Sequence, residues 1–442
     1  MNPQRPPFAP RRLPFHNRFF LSIWCVAAAF GTYACMYAFR KPFTAGTYAT
    51  PPFTAGFKTW LVLAQVLGYT VSKFWGIKVI AEMTPARRAR VLFGLVALAE
   101  VALVLFALIP PPWNAACLFL NGLPLGIIYG LVLGFLEGRR MTEAFVAGLC
   151  TSFILADGFT KSVGAYLLNA GVSEVWMPGA AGAIFLLPLA GFVWMLQQIP
   201  APDAADVAER AARVPMNQLE RRLMFQRYAL GLIPIMLAFL LVTVLRSIRA
   251  DFAPEIWAGL GAKVDASVFA RSEMLVALGV LGVNGLAVLV RDNQRAFFLS
   301  LGLAATGLGL ILATLGAQAG GHVSPFVFTV VIGFGLYVPY VAVHTTIFER
   351  LIAMTRERGN IGYLMYLADA FGYLGYVAVM VGKNFFRPNG NVFELFTMVG
   401  WIVAWVSLIA LATAMLFFSI KRKSWLGVPQ RLVAVPKSAL TR

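Results

Sequence analysis

Twelve runs of about twenty apolar residues dominate the chain, near 18–40, 58–81, 91–110, 115–136, 142–169, 175–198, 228–248, 268–290, 295–316, 323–348, 360–383 and 395–420. Each is as long as an α-helix must be to cross the ~30 Å hydrocarbon layer of a bilayer. In lipid every backbone polar group has to be satisfied within the segment itself, which such unbroken runs achieve only as helices. An all-α membrane protein with twelve transmembrane helices is the fold class expected. Charged residues make up only 13% of the 442, and hydrophobic residues 59%. That excludes a disordered or nucleic-acid-binding chain, despite a net charge of +18. The first apolar run follows an Arg-rich leader and is too long for a signal-peptide core, so it is expected to stay as a span.

Basic residues orient the bundle. With the N-terminus inside, the inner segments hold 26 of the 37 Lys and Arg, the outer segments eight, and the spans three: Lys73, Lys161 and Arg246. Both termini are therefore expected in the cytoplasm, in a multi-pass protein of the plasma membrane, which in bacteria is the inner membrane. Residues 199–227 break the run of short loops with polar, charged and Pro-punctuated sequence. They read as a cytoplasmic linker between halves 1–198 and 228–420, with a basic cytoplasmic tail at 421–442.

The halves carry a trace of duplication. Leu155-Ala156-Asp157-Gly158-Phe159 in span 5 matches Leu367-Ala368-Asp369-Ala370-Phe371 in span 11, 212 residues on, and Glu137 meets Glu349 at the same offset. Six spans restore the orientation, so the copies run in parallel. A transporter built of two pseudo-symmetric halves, with substrate at their midplane interface, has this form. Duplication without transport is the alternative.

Ionisable side chains are costly in lipid and face a partner or a wet cavity. Lys73 lies deep in span 2, Asp369 in span 11 and Glu100 in span 3. Asp157 and Lys161, four apart, share a helical face and can pair. That pair is either a structural tie or a switch, in which an arriving anion takes Lys161 and frees Asp157 to accept a proton. Arg40 and Arg246 each lie about twenty residues after the basic start of the first span of their half. At matched depth, two guanidiniums can clamp an oxyanion bidentately. Alternatively, both are anchors snorkelling to the outer interface, since counting 1.5 Å per residue places them roughly 30 Å up. Gly122, Gly126, Gly130 and Gly134 make a smooth stripe on span 4 for close helix contact.

Several short segments carry a resemblance. Span 1 ends Tyr33-Ala34-Cys35-Met36-Tyr37-Ala38-Phe39-Arg40-Lys41, and span 2 holds Tyr69-Thr70-Val71-Ser72-Lys73-Phe74. Span 7 has Val244-Leu245-Arg246, span 10 Ile332-Gly333-Phe334 and Tyr337-Val338-Pro339, and span 11 Phe371-Gly372-Tyr373-Leu374-Gly375. In these segments and in its twelve-span layout the chain resembles the organophosphate:phosphate antiporters of the major facilitator superfamily, which include glycerol-3-phosphate and hexose-phosphate transporters. The resemblance implies the major facilitator fold. It implies Arg40 and Arg246 as ligands of a substrate phosphate, Lys73 facing the cavity, and Tyr33, Tyr37, Tyr69, Tyr337 and Tyr373 lining the pore. Where that family has a span 5 histidine, this chain has Asp157, which brings proton coupling into view. Its loop after span 2 keeps only the basic run Arg87, Arg88 and Arg90 of the superfamily pattern.

The function expected is secondary active transport of a small organic anion, phosphorylated or not, by alternating access. A proton or phosphate is the expected counter-substrate, and Asp157, Lys161 and Asp369 are the candidate coupling and ion-pair residues. A transporter-like sensor that binds an anion without turnover is the alternative. The sequence has no Gly-Lys-Ser/Thr phosphate loop for ATP drive. Three scattered histidines and four cysteines at packing positions give no enzyme or metal constellation. No cofactor and no nucleic acid are expected, and the protein is expected to act as a monomer in the lipid bilayer.

Overall fold

The computed structural model describes residues 18–49, 51–53, 56–83, 85–136, 142–200, 218–263, 265–355, 361–386 and 391–426. Twelve helices of eighteen residues or more account for nearly all of them. They are α1 Arg18–Tyr37, α2 Phe57–Glu82, α3 Pro85–Leu108, α4 Ala115–Leu136, α5 Thr142–Asn169 and α6 Met177–Gln198, then α7 Gln218–Asp251, α8 Val268–Val288, α9 Asn293–Ala319, α10 Pro325–Ala342, α11 Ile361–Phe386 and α12 Val392–Leu426. Among the described residues, nine spans are long and apolar enough to cross a membrane. Helices α2, α5 and α11 carry Lys58 and Lys73, Asp157 and Lys161, and Asp369 and Lys383. Sharp turns join the rods. Gly171 after α5 and Gly321 after α9 sit at φ 89° and 71°, in the left-handed region that favours glycine.

Helices α1 to α6 pack on one another, as do α7 to α12. Between the groups, α5 lies against α8 and α2 against α11. The second and fifth helices of each half thus meet the fifth and second of the other, a pseudo-twofold seam. The duplicated segment falls on the two fifth helices, so Asp157 faces one seam and Asp369 the other. Successive helices alternate in direction. The first residues of α1 and the last of α12 therefore share one end, called here the terminal end; the other is the far end.

Most span limits agree with the apolar runs to within a few residues, and four differences stand out. Helix α1 stops at Tyr37, and Arg40 and Lys41 follow in a turn capped by the short helix Pro42–Ala45. The end of the expected linker is helical, because α7 starts at Gln218, ten residues early. Charged Glu220, Arg221 and Arg222 need no lipid to be helical and extend the rod beyond its apolar stretch. Likewise α12 runs to Leu426, into the expected tail, and α10 continues through a π-turn Val343–Ile347 into Phe348–Thr355. Linker residues 201–217, the leader, the tail beyond 426 and Glu137 lie outside the described residues.

Candidate functional site

The costly residues of the sequence meet between the halves. Arg40 comes from the turn after α1, and its guanidinium carbon lies 3.9 Å above the ring of Tyr69, 5.8 Å from that of Tyr373 and 5.9 Å from that of Tyr37. Arg246 comes from α7, 4.4 Å over Tyr340 and 5.9 Å from Tyr337, and donates to the Tyr373 hydroxyl at 3.3 Å. Both arginines are buried, so neither is an anchor at the membrane surface. They converge from opposite halves on one tyrosine. Neither has a carboxylate within 4 Å among the described residues, and the Nε of each is buried without a hydrogen-bond partner. Tyr33 closes the back of the cage, edge-on to Tyr37 and Tyr129.

Local sequence sets these positions. Gln65 on α2 donates to the carbonyl of Arg40 at 3.0 Å and to Asn121 of α4 at 2.8 Å. Asn121 donates in turn to the carbonyls of Phe39 and Ala99, each at 3.0 Å. This knot ties the turn carrying Arg40 to three helices. On α10, Tyr337, Tyr340 and His344 recur at helical spacing and share a face. His344 packs on Tyr340 with ring centroids 4.5 Å apart, at the start of the π-turn. Such turns are frequent at functional sites.

Ion pairs bound the cage at both ends. One turn below Tyr69, toward the terminal end, Lys73 of α2 pairs with Asp369 of α11, and the Tyr340 hydroxyl donates to the same carboxylate at 3.2 Å. Both members are buried. At the far end, Lys41 pairs across the seam with Asp251 of α7 and lies 3.5 Å from Asp157. Asp157 accepts from Lys161 at 2.5 Å, the pairing their spacing predicts. Arg249 pairs with Glu273 of α8 at 2.7 Å. Lys161, Arg249, Glu273 and Thr329 help line a cavity of about 10 Å³, room for a single water. Three cations and three carboxylates thus close the far end, and Lys58 with Glu255, at 2.7 Å, adds a further tie between the halves.

All eleven candidates of the sequence reading therefore lie on or beside the seam. The arginines and tyrosines form the cage, Lys73 and Asp369 its terminal-end floor, and Asp157 and Lys161 part of the far-end cluster. Tyr340, His344, Gln65, Asn121, Lys41, Arg249, Asp251 and Glu273 are additions. Tyr340 had a signal, three residues after Tyr337. Lys41 and Arg249 count among the basic residues of the outer segments, and Asp251 lies just past the end of span 7. Glu100, without a nameable partner in sequence, leaves one carboxylate oxygen buried without a hydrogen-bond partner, packed where α6 has Gly182. Among the described residues, no group of three His, Cys, Asp or Glu is placed to hold a metal.

Residues 42–421 match the profile of a family described as a family of unknown function (DUF5690). No curated protein sequence matches the chain. Among solved structures it resembles a D-xylose–proton symporter, with TM-score 0.59, 14% identity, and 90% of this chain and 97% of that one covered. It resembles a bacterial homologue of the human drug peptide transporters PepT1 and PepT2, with TM-score 0.60, 10% identity and coverage of 91% and 99%. It also resembles the nucleoside transporter NupG, with TM-score 0.57, 15% identity and coverage of 90% and 99%. At such low identity these likenesses show the fold, which is the major facilitator fold.

Proposed function

The chain belongs to the DUF5690 family of unknown function, and we propose that it is a secondary transporter that moves a small organic anion by alternating access. One observation carries the reading. Two buried guanidiniums, one from each half, point into a shared tyrosine cage without a carboxylate beside either among the described residues. Burying an ion costs several kcal/mol, even after relaxation of its surroundings. Contact with an aromatic face returns about 2 kcal/mol when the site is dry. The remainder is a standing demand for an anion, and residues from both halves must close on that anion to meet it.

The mechanism follows from where the charges sit. The anion binds between Arg40 and Arg246, whose planar forks match a carboxylate or phosphate face. Tyr33, Tyr37, Tyr69, Tyr337 and Tyr373 wall the cage. Lys73 with Asp369 closes its terminal end. Lys41, Asp157, Lys161, Arg249, Asp251 and Glu273 close its far end. Halves 1–198 and 228–420 rock about the anion, breaking one closure while keeping the other. All twelve helices cross the plasma membrane, and both termini, the linker 199–227 and the tail lie in the cytoplasm. A phosphorylated substrate accords with the resemblance of the arginine and tyrosine segments to organophosphate:phosphate antiporters. A proton or phosphate is the coupled species, and one chain forms the whole path.

Proteoliposome flux tests this directly. A panel of labelled phosphorylated and carboxylate anions, with and without a pH gradient, should show saturable uptake of at least one. Binding of every responsive anion without uptake would instead identify a sensor. The topology has its own check. A cysteine at position 205, in a background lacking the four native cysteines, should react with a membrane-impermeant maleimide only after the cells are opened. Labelling of intact cells would invert the orientation.

A further inference from the structure

Asp369 differs from Asp157, its counterpart in the first half. Asp157 is bracketed by two ammoniums, Lys161 at 2.5 Å and Lys41 at 3.5 Å. Drawing one away leaves it paired. Asp369 has only Lys73 within 4 Å among the described residues, with the Tyr340 hydroxyl as its second partner at 3.2 Å. Tyr340 is also the ring on which Arg246 rests, and Tyr373, which receives the Arg246 hydrogen bond, lies one turn along α11 from Asp369. The carboxylate therefore sits at the floor of the anion cage, on the one cation there that has a carboxylate partner.

We propose that Asp369 is a tethered anion that holds Lys73 in place of substrate, and that substrate binding displaces it and obliges it to take up a proton. The inference rests on the transporter reading above. An anion clamped by Arg40 and Arg246 draws Lys73 across the cage and completes a third contact. Asp369 then stays buried without a cation, a state that costs several kcal/mol unless the carboxylate becomes neutral. The proton comes from the water on whichever side is open, and it leaves when the anion does and Lys73 returns. One anion and one proton thus share each crossing. Breaking the Lys73–Asp369 pair also removes the tie between α2 and α11, so the event that loads the site loosens the terminal-end closure.

The groups around Asp369 are Lys73 and Tyr69 from α2, Cys150 from α5, Arg246 from α7, Tyr340 and His344 from α10, and Tyr373 from α11 itself. Of these His344 is the rival as proton acceptor. It packs on Tyr340 and Phe239, and its Nδ1 lies 2.9 Å from the Tyr340 carbonyl oxygen, so it contacts no anion ligand except through Tyr340.

Sulfate is the probe, because its charge does not change near neutral pH. Its binding to the purified full-length protein can be followed by thermal stabilisation between pH 6 and pH 8. The wild type should bind more weakly as pH rises, by up to about tenfold per pH unit, the limit for one linked proton. Asp369→Asn should bind about tenfold more tightly at pH 8 and lose that slope. Asp369→Glu should restore the slope, and His344→Gln should keep it. Asp369→Asn combined with Lys73→Gln should fold and be flat with pH, which guards against a loss caused by one stranded charge. An Asp369→Asn variant with the wild-type slope, a pH-flat wild type, or a slope lost in His344→Gln overturns the proposal. If sulfate binding is lost in Arg40→Ala while the slope ignores Asp369, only the tethered acid fails. If no variant binds sulfate, the anion reading falls with it.

Discussion

Arg40→Lys and Arg246→Lys should each lower anion exchange by about a hundredfold, ~2.7 kcal/mol. The charge is kept, so only geometry is at stake. The Arg40 guanidinium carbon lies 3.9 Å over the Tyr69 ring, and the group offers a fork of donors to an oxyanion. An ammonium is compact, strongly hydrated and unable to hold two oxygens at once. Lysine at position 246 would also lack the guanidinium that now lies over Tyr340 while donating to the Tyr373 hydroxyl. Arg271→Lys is the control, since that arginine is exposed at the far end beside Asp265. Transport with Lys at both positions within a factor of two of wild type would remove the clamp from the mechanism.

The second large effect is on stability. Gly122→Val should destabilise the protein by about 3 kcal/mol or more, seen as a lower thermal unfolding temperature in detergent. A Cβ at Gly122 would lie 2.2 Å from the Gln65 carbonyl oxygen, and one at Gly126 2.6 Å from that of Tyr69. These obstacles are backbone, so nothing flexible can move aside. Helices α2 and α4 would have to part, and the Gln65–Asn121 knot that holds the Arg40 turn would part with them. Gly191→Ala, where an added Cβ meets nothing within 4 Å, should change little. Equal effects at both glycines would show that α2 and α4 are not in close backbone contact.

The fold was readable because lipid leaves a chain so few choices. Length and apolarity placed the helices, and α4 and α5 came out with the limits the runs predict. The site was readable in part, because a buried charge such as Lys73 or Arg246 announces its own cost. Partnership was not readable. Lys73 and Asp369 are 296 residues apart, and nothing local to either names the other. The pairing of Lys161 with Asp157 was visible because it lies within one helical turn. Counting 1.5 Å per residue placed Arg40 and Arg246 near the outer edge of the membrane. That count gives depth along a rod and says nothing of whether the residue faces water, lipid or a neighbouring helix. Arg249, Asp251 and Glu273 were passed over for the same reason, since a charge at a span end usually belongs to water and here belongs to the seam.

Helices α2, α5 and α11 carry the buried ion-pair residues Lys73, Asp157, Lys161 and Asp369. Those charges bear on how the protein is made. A charged residue near the middle of a segment opposes insertion from the translocon by about 2.5–3.5 kcal/mol. Each of these segments is therefore a weaker entrant on its own and leans on a packed neighbour, α2 on α4, which follows it into the bilayer, and α11 on α7, which is already there. Asp369 finds its lysine only after 296 residues of chain have been threaded. The nascent N-terminal half must hold Lys73 uncompensated until α11 is synthesised. Truncated chains ending before residue 369 should therefore be poorly retained in the membrane and prone to degradation.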